Sequence, residues 1–341
     1  MKTWTPPDQW LRITSLDAHA AGEPLRIITE GFPSLPGKTI LEKRRYAREH
    51  WDHLRKALMW EPRGHADMYG CLLTEPVTED GTLGVLFMHN EGFSTMCGHA
   101  IIALTCVLPE AEIIELSEDS PEIRFDTPAG RVTASAQRIS GRVVNAAFRN
   151  VPSFVYALDQ TVTIPGLGPV RYDVAYGGAF YAFCRAEEMD LKLRPEEFGR
   201  LIDLGMRIKR AVQDALTIRH PVEPDLGFLY GTIFYGPPED ADHFSRNVCV
   251  FAEGEVDRSP TGTGVSARAA LHYSRGEIGL QESFVVESIL GTSFTGRIIE
   301  VCRFGPYPAV VPEISGRGFI TGRSEFFLDP EDPLAHGFIF R

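Results

Sequence analysis

Cys97 stands in the run Met96-Cys97-Gly98-His99-Ala100, directly before a stretch, residues 98–108, that is small and apolar almost all round. A helix with no polar face is normally buried, which places Cys97 at the entry of a buried helix. A helix N-terminus offers free N–H groups and a positive partial charge. Both draw a thiol's pKa down from about 8.5 toward neutrality. The chemistry this suggests is that of a thiolate base. A lone cysteine is more often an inert packed residue. Here the flanking Gly98, the loop position and a second copy of the same pattern favour chemistry. Cys71, Cys106, Cys184, Cys249 and Cys302 sit in apolar runs and keep the packed reading.

The second copy lies 164 residues on. VLFMHNEGFSTMCGHAIIAL (85–104) and VCVFAEGEVDRSPTGTGVSARAAL (248–271) each read as strand, loop, polar residue, glycine and buried helix. Setting Cys97 over Thr261 puts Phe87 over Phe251, Gly98 over Gly262, His99 over Thr263 and Ala103 over Ala267. Such a repeat implies two similar halves facing each other across a cleft. Two helix entries would then offer the N–H groups of Gly98, His99, Gly262 and Thr263 to an anion such as a carboxylate. Asp257, four residues before Thr261, is of a type that usually caps a helix or forms a turn. In a cleft it can instead hold a cationic amine, as can the His99 side chain.

Other chemistries find less support. TGTGVSA (261–267) contains G-x-G-x-x-A, but the polar loop Glu255–Pro260 precedes it where a dinucleotide fingerprint needs a strand. There is no P-loop, no G-x-S-x-G, no H-E-x-x-H and no C-x-x-C. His50 and His53 read as members of a charged helix face. No residues are therefore assigned to a metal or an organic cofactor.

The 341 residues carry 34 Lys+Arg against 46 Asp+Glu, a net charge of −12. That balance argues against nucleic acid or an anionic membrane as main partner. Apolar residues make up 43% and charged residues 23%, ordinary for a globular chain with a sizeable core. No apolar run reaches the ~18–20 residues of a membrane span. MKTWTPPDQW lacks a signal-type apolar region, and six scattered cysteines do not make a disulfide scaffold. A reducing cytoplasm is expected.

The elements that must position these residues are mostly strands. RITSLDAHA, GRVTASAQ, GRVVNAAF, NVCVFAE, SFVVES, GRIIEVCRF and GRGFITG all read as strands. Residues 39–59 read as a charged surface helix. Residues 196–217 place Leu201, Leu204, Ile208, Val212 and Leu216 on one helical face. Residues 98–108 and 264–275 are the two buried helices. The class is α+β, with a boundary near Asn150–Leu158.

DAHAAGEPLRI (17–27), EPRGHADMYG (61–70), MCGHA (96–100), TPAG (127–130), VDRSPTGTG (256–264) and GTSFTG (291–296) together resemble the proline racemase superfamily over essentially the whole chain. The resemblance implies a diaminopimelate epimerase-like fold: two similar halves, each a β-sheet or barrel wrapped around a central buried helix, with the active site between them. The half bearing Cys97 would span 1–150, completed by about 311–341. The half bearing Thr261 would span 151–310. The resemblance also implies independence of metals and organic cofactors, a small imino-acid substrate and a homodimer. Gly98, His99, Asp257, Gly262 and Thr263 match the superfamily's substrate contacts.

Racemases and hydroxyproline epimerases of the superfamily carry a second cysteine in DRSP-x-GTG, where this chain has Thr261. That departure, with HPVEPDLGFLYGTIF (220–234), resembles the branch that dehydrates trans-3-hydroxy-L-proline. Two-base racemisation needs one group on each face of the α-carbon, and a threonine hydroxyl is a very poor acid and base near neutrality. With Cys97 as the base, the expected reaction is elimination to Δ1-pyrroline-2-carboxylate. The alternatives are a proline racemase or hydroxyproline epimerase, against which Thr261 argues, and a non-catalytic imino-acid binding protein, against which retention of Cys97 argues.

Overall fold

Period-two burial builds most of this chain. In the strand Gly130–Ile139, Val132, Ala134 and Ala136 point inward while their neighbours are less buried, the alternation of a sheet with one covered face. The computed structural model describes residues 4–116 and 122–340. Residues 1–3, 117–121 and 341 lie outside that set, and with them the extreme ends of the expected spans 1–150 and 311–341.

The first part of the chain runs β1 (Leu11–Ala20), β2 (Glu23–Glu30), α1 (Ile40–His50), α2 (Asp52–Met59), β3 (Gly70–Thr74), β4 (Leu83–Met88), α3 (Gly98–Glu110), β5 (Glu122–Thr127), β6 (Gly130–Ile139) and β7 (Arg142–Arg149). The second part runs β8 (Ser153–Ile164), β9 (Gly168–Tyr176), β10 (Phe180–Arg185), α4 (Phe198–Ala215), β11 (Leu229–Gly236), β12 (Ser245–Phe251), β13 (Glu255–Val256), α5 (Gly262–Ser274), β14 (Ser283–Glu287), β15 (Ser293–Phe304), β16 (Tyr307–Gly316) and β17 (Gly318–Leu328).

In the second part the strands pair in the order β8, β9, β10, β11, β12, β14, β15, β16, and β16 returns to β8 at Val310↔Ser153, closing a barrel. The β10–β11 and β12–β14 pairs are parallel. Parallel neighbours need a crossover, and α4 and α5 supply the two. In the first part the order is β17, β1, β2, β3, β4, β5, β6, β7, parallel at β2–β3 and β4–β5. Here α1–α2 and α3 make the crossovers. β7 pairs with the end of β16 at Phe148↔Ile314, and the chain passes from there through Arg317 into β17. The C-terminal strand β17 thus holds the place beside β1 that β8 holds beside β9. The fold is α+β with a closed barrel. The matching order of pairings supports, as a proposal, a division into 1–150 completed by 311–341 and 151–310.

One helix runs inside each set of strands. α3 packs on β1, β6, β7 and β17, and α5 on β8, β9, β15 and β16. Every residue from Gly98 to Leu108 and from Gly262 to His272 is buried, as a helix without a polar face requires. Ile101, Leu104, Val107 and Leu108 each contribute about 1.5–3 kcal/mol by leaving water. α4 covers the second barrel with Leu201, Leu204, Ile208 and Val212; Leu216 falls just past its end and is only half-buried.

The single surface helix expected over 39–59 is two helices. They meet at Trp51, whose φ of −124° and ψ of 14° are not helical. They are not mere surface either. Ile40, Ala47, Leu54 and Leu58 close a second apolar cluster with Ile28 and Leu86.

Candidate active site

The two inner helices meet nearly head to head. A Cβ built on Gly98 would lie 2.6 Å from the Cα of Gly262, and one built on Gly262 would lie 2.8 Å from the Cα of Gly98. Real Cβ contacts are never that short, so only glycine at both positions lets the N-termini approach. Cys97 is the residue before α3 and Thr261 the residue before α5. The first helical hydrogen bonds run from Ile101 N–H to the Cys97 carbonyl at 3.1 Å and from Val265 N–H to the Thr261 carbonyl at 2.8 Å. Among the described residues, none accepts from the N–H groups of Gly98, His99, Gly262 or Thr263. Four donors and two positive helix ends therefore converge on one point, a site for a carboxylate.

All seven residues singled out in the sequence line one buried cavity of about 20 Å³: Cys97, Gly98, His99, Asp257, Thr261, Gly262 and Thr263. Wider hollows of about 310–370 Å³ open elsewhere, but no cysteine lines them and none is lined by the N-terminal residues of α3 or α5. The small cavity is where the reactive groups converge, and it is the candidate site.

Cys97 Sγ lies 3.1 Å from His99 Nδ1. Burial drives the imidazole pKa down to about 3, against a hydrogen bond to the Pro24 carbonyl that raises it. His99 is therefore neutral. The helix N-terminus was expected to bring the Cys97 thiol toward neutrality. Instead burial pushes it well up, outweighing hydrogen bonds from the Ala100 N–H and the Tyr69 hydroxyl; the carboxyl groups of Asp257 and Glu23 push it the same way. Desolvation wins because the thiol is 5% exposed and roofed by aromatic rings.

Asp257 is equally buried, and burial raises its pKa to about 6; the Ser259 and Thr261 hydroxyls and the Ser259 N–H oppose the rise. The loop read as polar, Glu255–Pro260, is in fact largely buried and begins in β13. Thr261 itself sits at φ 66°. A β-branched residue rarely enters that region, and holding it there costs roughly 1–3 kcal/mol. Its hydroxyl makes no hydrogen bond of acceptable geometry, although it lies close enough to help hold down the Asp257 pKa. Cys249 lies behind it, its thiol pushed well up by burial.

Sequence reasoning missed the aromatic roof: Tyr69, Tyr181, Tyr230 and Phe251, with Met96 beside them. Tyr69 OH bonds Ser94 Oγ at 2.7 Å, and its ring meets His99 edge-on at 4.9 Å. Tyr181 OH bonds Thr263 Oγ1 at 2.7 Å. It also missed Glu23, fully buried, whose pKa burial and Asp257 raise far above the usual carboxylate range. Tyr69, Tyr230 and Glu23 lie inside the segments 61–70, 220–234 and 17–27 that carry the family resemblance, but nothing local in those segments marks them as lining a site. Nothing in the sequence points to Tyr181. Contacts across the cleft fix the two parts. Arg258 reaches Asp67 at 2.9 Å and its N–H bonds Glu23 at 2.7 Å, while Thr95 Oγ1 bonds the Gly178 carbonyl at 2.6 Å. Among the described residues, no three His, Cys, Asp or Glu side chains gather as metal ligands would.

A family model described as proline racemase matches residues 15–339. The trans-3-hydroxy-L-proline dehydratase of Colwellia psychrerythraea is 47% identical, the match covering 99% of this chain and 96% of that protein. A 3-hydroxyproline 2-epimerase of Burkholderia multivorans is 42% identical over 96% of this chain and 98% of its own length. The crystal structure of a hydroxyproline epimerase from Agrobacterium vitis, with bound trans-4-hydroxy-L-proline, superposes with a TM-score of 0.92 at 32% identity, covering 98% of this chain and 96% of that one.

Proposed function

We propose, from the premise that this chain belongs to the proline racemase family, that it is a hydro-lyase converting trans-3-hydroxy-L-proline to Δ1-pyrroline-2-carboxylate and water. One observation carries the choice within the family. Across the paired helix N-termini, Cys97 faces a threonine and not a second thiol.

The substrate carboxylate sits on the N–H groups of Gly98, His99, Gly262 and Thr263, which also take up the charge that builds as the α-proton leaves. Asp257 pairs with the ring ammonium. In trans-3-hydroxy-L-proline the α-hydrogen and the 3-hydroxyl share a face of the ring. The Cys97 thiolate removes the α-proton, the C–H electron pair becomes the C2=C3 bond, and the C3–O bond breaks. The new Cys97 S–H protonates the departing hydroxide to water, which regenerates the thiolate. The enamine then tautomerises to the Δ1 imine. In the closed pocket burial keeps the thiol protonated. The substrate's ring cation, the Tyr69 hydroxyl and the Ala100 N–H are the groups able to hold its thiolate. The cavity has room for about one water molecule, so the cleft must part to admit an imino acid. A cytoplasmic location and a two-copy assembly belong to the same proposal; no helix among the described residues is long and apolar enough to cross a membrane.

The test mixes the purified protein with trans-3-hydroxy-L-proline and the ketimine trap 2-aminobenzaldehyde, with trans-4-hydroxy-L-proline and L-proline in parallel. Colour should develop with the 3-hydroxy acid alone. Failure to form the imine from it would reject the reading.

The Asp257 carboxyl sets an expected pH dependence. Only its ionised form pairs with the ring ammonium, and burial puts its pKa at about 6. kcat/KM should therefore fall about tenfold per pH unit below pH 6, since this parameter reports groups of the free enzyme. A break near pH 4, the range of an ordinary carboxylate, would take Asp257 out of that role.

A further inference from the structure

Three tyrosines line the cavity, and two of their hydroxyls are engaged: Tyr69 with Ser94 and Tyr181 with Thr263. The third is not. Tyr230 OH is buried and, among the described residues, has no hydrogen bond of acceptable geometry. Leaving a buried polar group without a partner destabilises the fold, so a native structure that keeps one in a binding cavity has a use for it. The ring is held in place by Phe251 at 5.3 Å, His89 at 5.6 Å and Tyr181 at 5.8 Å between centroids. Its hydroxyl therefore cannot swing away to find a partner elsewhere.

Its position matters as much as its isolation. Tyr230 is the second residue of β11 in the second part of the chain, but its hydroxyl reaches over toward Cys97, whose charge would raise its pKa. It also comes close enough to the Tyr69 hydroxyl for that group to hold the pKa down slightly, without a hydrogen bond of acceptable geometry between the two. Burial keeps the phenol neutral, so it is a donor. On the reading above, the face of the ring served by Cys97 carries both the α-hydrogen and the 3-hydroxyl. Thr261, the other cavity residue with an unpartnered hydroxyl, belongs to the opposite helix entry.

We propose that Tyr230 is the residue that recognises the 3-hydroxyl, donating a hydrogen bond to the oxygen that departs as water. This inference rests on the dehydratase reading. Tyr230 supplies orientation and stabilises the charge developing on the leaving oxygen, while the proton that makes water comes from the Cys97 thiol. No other co-reactant is needed. A site built to satisfy a substrate hydroxyl also rejects the ring that lacks one, because the protein's own hydroxyl is then left unpaired.

The test compares wild type with Tyr230→Phe, which removes one oxygen and keeps the ring. The readouts are kcat/KM for dehydration and the affinity for pyrrole-2-carboxylate, a flat mimic with no 3-hydroxyl. Dehydration should fall about 10²-fold, as for loss of one donor to a developing oxyanion, while pyrrole-2-carboxylate binds within about twofold. Unchanged dehydration, or equal losses in both measurements, would overturn the assignment. Should the variant misfold, the Cys97→Ser enzyme, which keeps Tyr230 and does not consume the substrate, supplies the answer by calorimetry: trans-3-hydroxy-L-proline should bind at least about tenfold more tightly than L-proline, and equal binding would overturn it. A wild type that prefers the hydroxylated ring but never dehydrates it sinks the dehydratase reading and leaves recognition by Tyr230 standing.

Discussion

Cys97→Ser should lower dehydration by at least about 10³-fold, the scale of a lost proton-transfer catalyst, with the fold intact. A serine oxygen fits where the sulfur sits, at the entry of α3, and needs no backbone change. What it lacks is acidity. Even a thiol is pushed well up in this pocket by burial; an alcohol in the same place has no accessible anion. The donors aimed at position 97, the Ala100 N–H and the Tyr69 hydroxyl, would stabilise an alkoxide, but not across so large a gap. Binding should survive, because on the proposed reading the carboxylate and amine contacts come from Gly98, His99, Asp257, Gly262 and Thr263. The measurement is single-turnover dehydration alongside calorimetric binding of pyrrole-2-carboxylate. In wild type, iodoacetamide should inactivate slowly and pyrrole-2-carboxylate should protect, since the thiol is covered. Substantial turnover by Cys97→Ser, or inactivation traced by peptide mapping to another cysteine, removes Cys97 from the base role.

The sequence is informative where one local pattern has one physical solution. α3 and α5 are small and apolar almost all round and so are interior, the buried Arg268 of α5 being paired with Asn247 and His272; the residues before them must then lie at interior helix mouths. From that, Cys97 and Thr261 follow, and their glycines with them. The sequence is silent where contacts are distant. Nothing in Gly318–Leu328 shows that it pairs with Leu11–Ala20 at the other end of the chain. The roof over the site draws Tyr69, Tyr181 and Tyr230 from three separate places, and only the closed topology joins them. The same gap explains the thiol. A helix N-terminus can be read from a local pattern, but desolvation depends on what covers it, and here the covering rings come from far along the chain. The break at Trp51 is a smaller miss of the same kind, because the two helices bend over a shared cluster with Ile28 and Leu86.

Thr261→Cys should add racemase or epimerase activity that wild type lacks. The approach of the two helix mouths is already in place, since Gly98 and Gly262 tolerate no Cβ and so fix the spacing across the substrate. Cysteine is unbranched at Cβ and fits φ 66° with less crowding than threonine, so the variant should fold at least as well. A thiol at position 261 places a second acid–base group on the face opposite Cys97, and a proton taken from one face can be returned on the other. The nearby Thr261 hydroxyl helps hold down the Asp257 pKa, and losing it should raise that pKa and move the acid limb of kcat/KM upward. The gain is expected to be small, because Tyr230 and the aromatic roof still select the ring. Dehydration should fall to the extent that the Thr261 hydroxyl places the substrate. The measurement is α-deuterium incorporation into L-proline in heavy water, with the chirality of the product determined. Wild type should yield no D-proline, and Thr261→Cys should yield D-proline labelled at the α-carbon. Wild type that makes D-proline as readily as it dehydrates the 3-hydroxy acid would show that position 261 does not separate the two reactions.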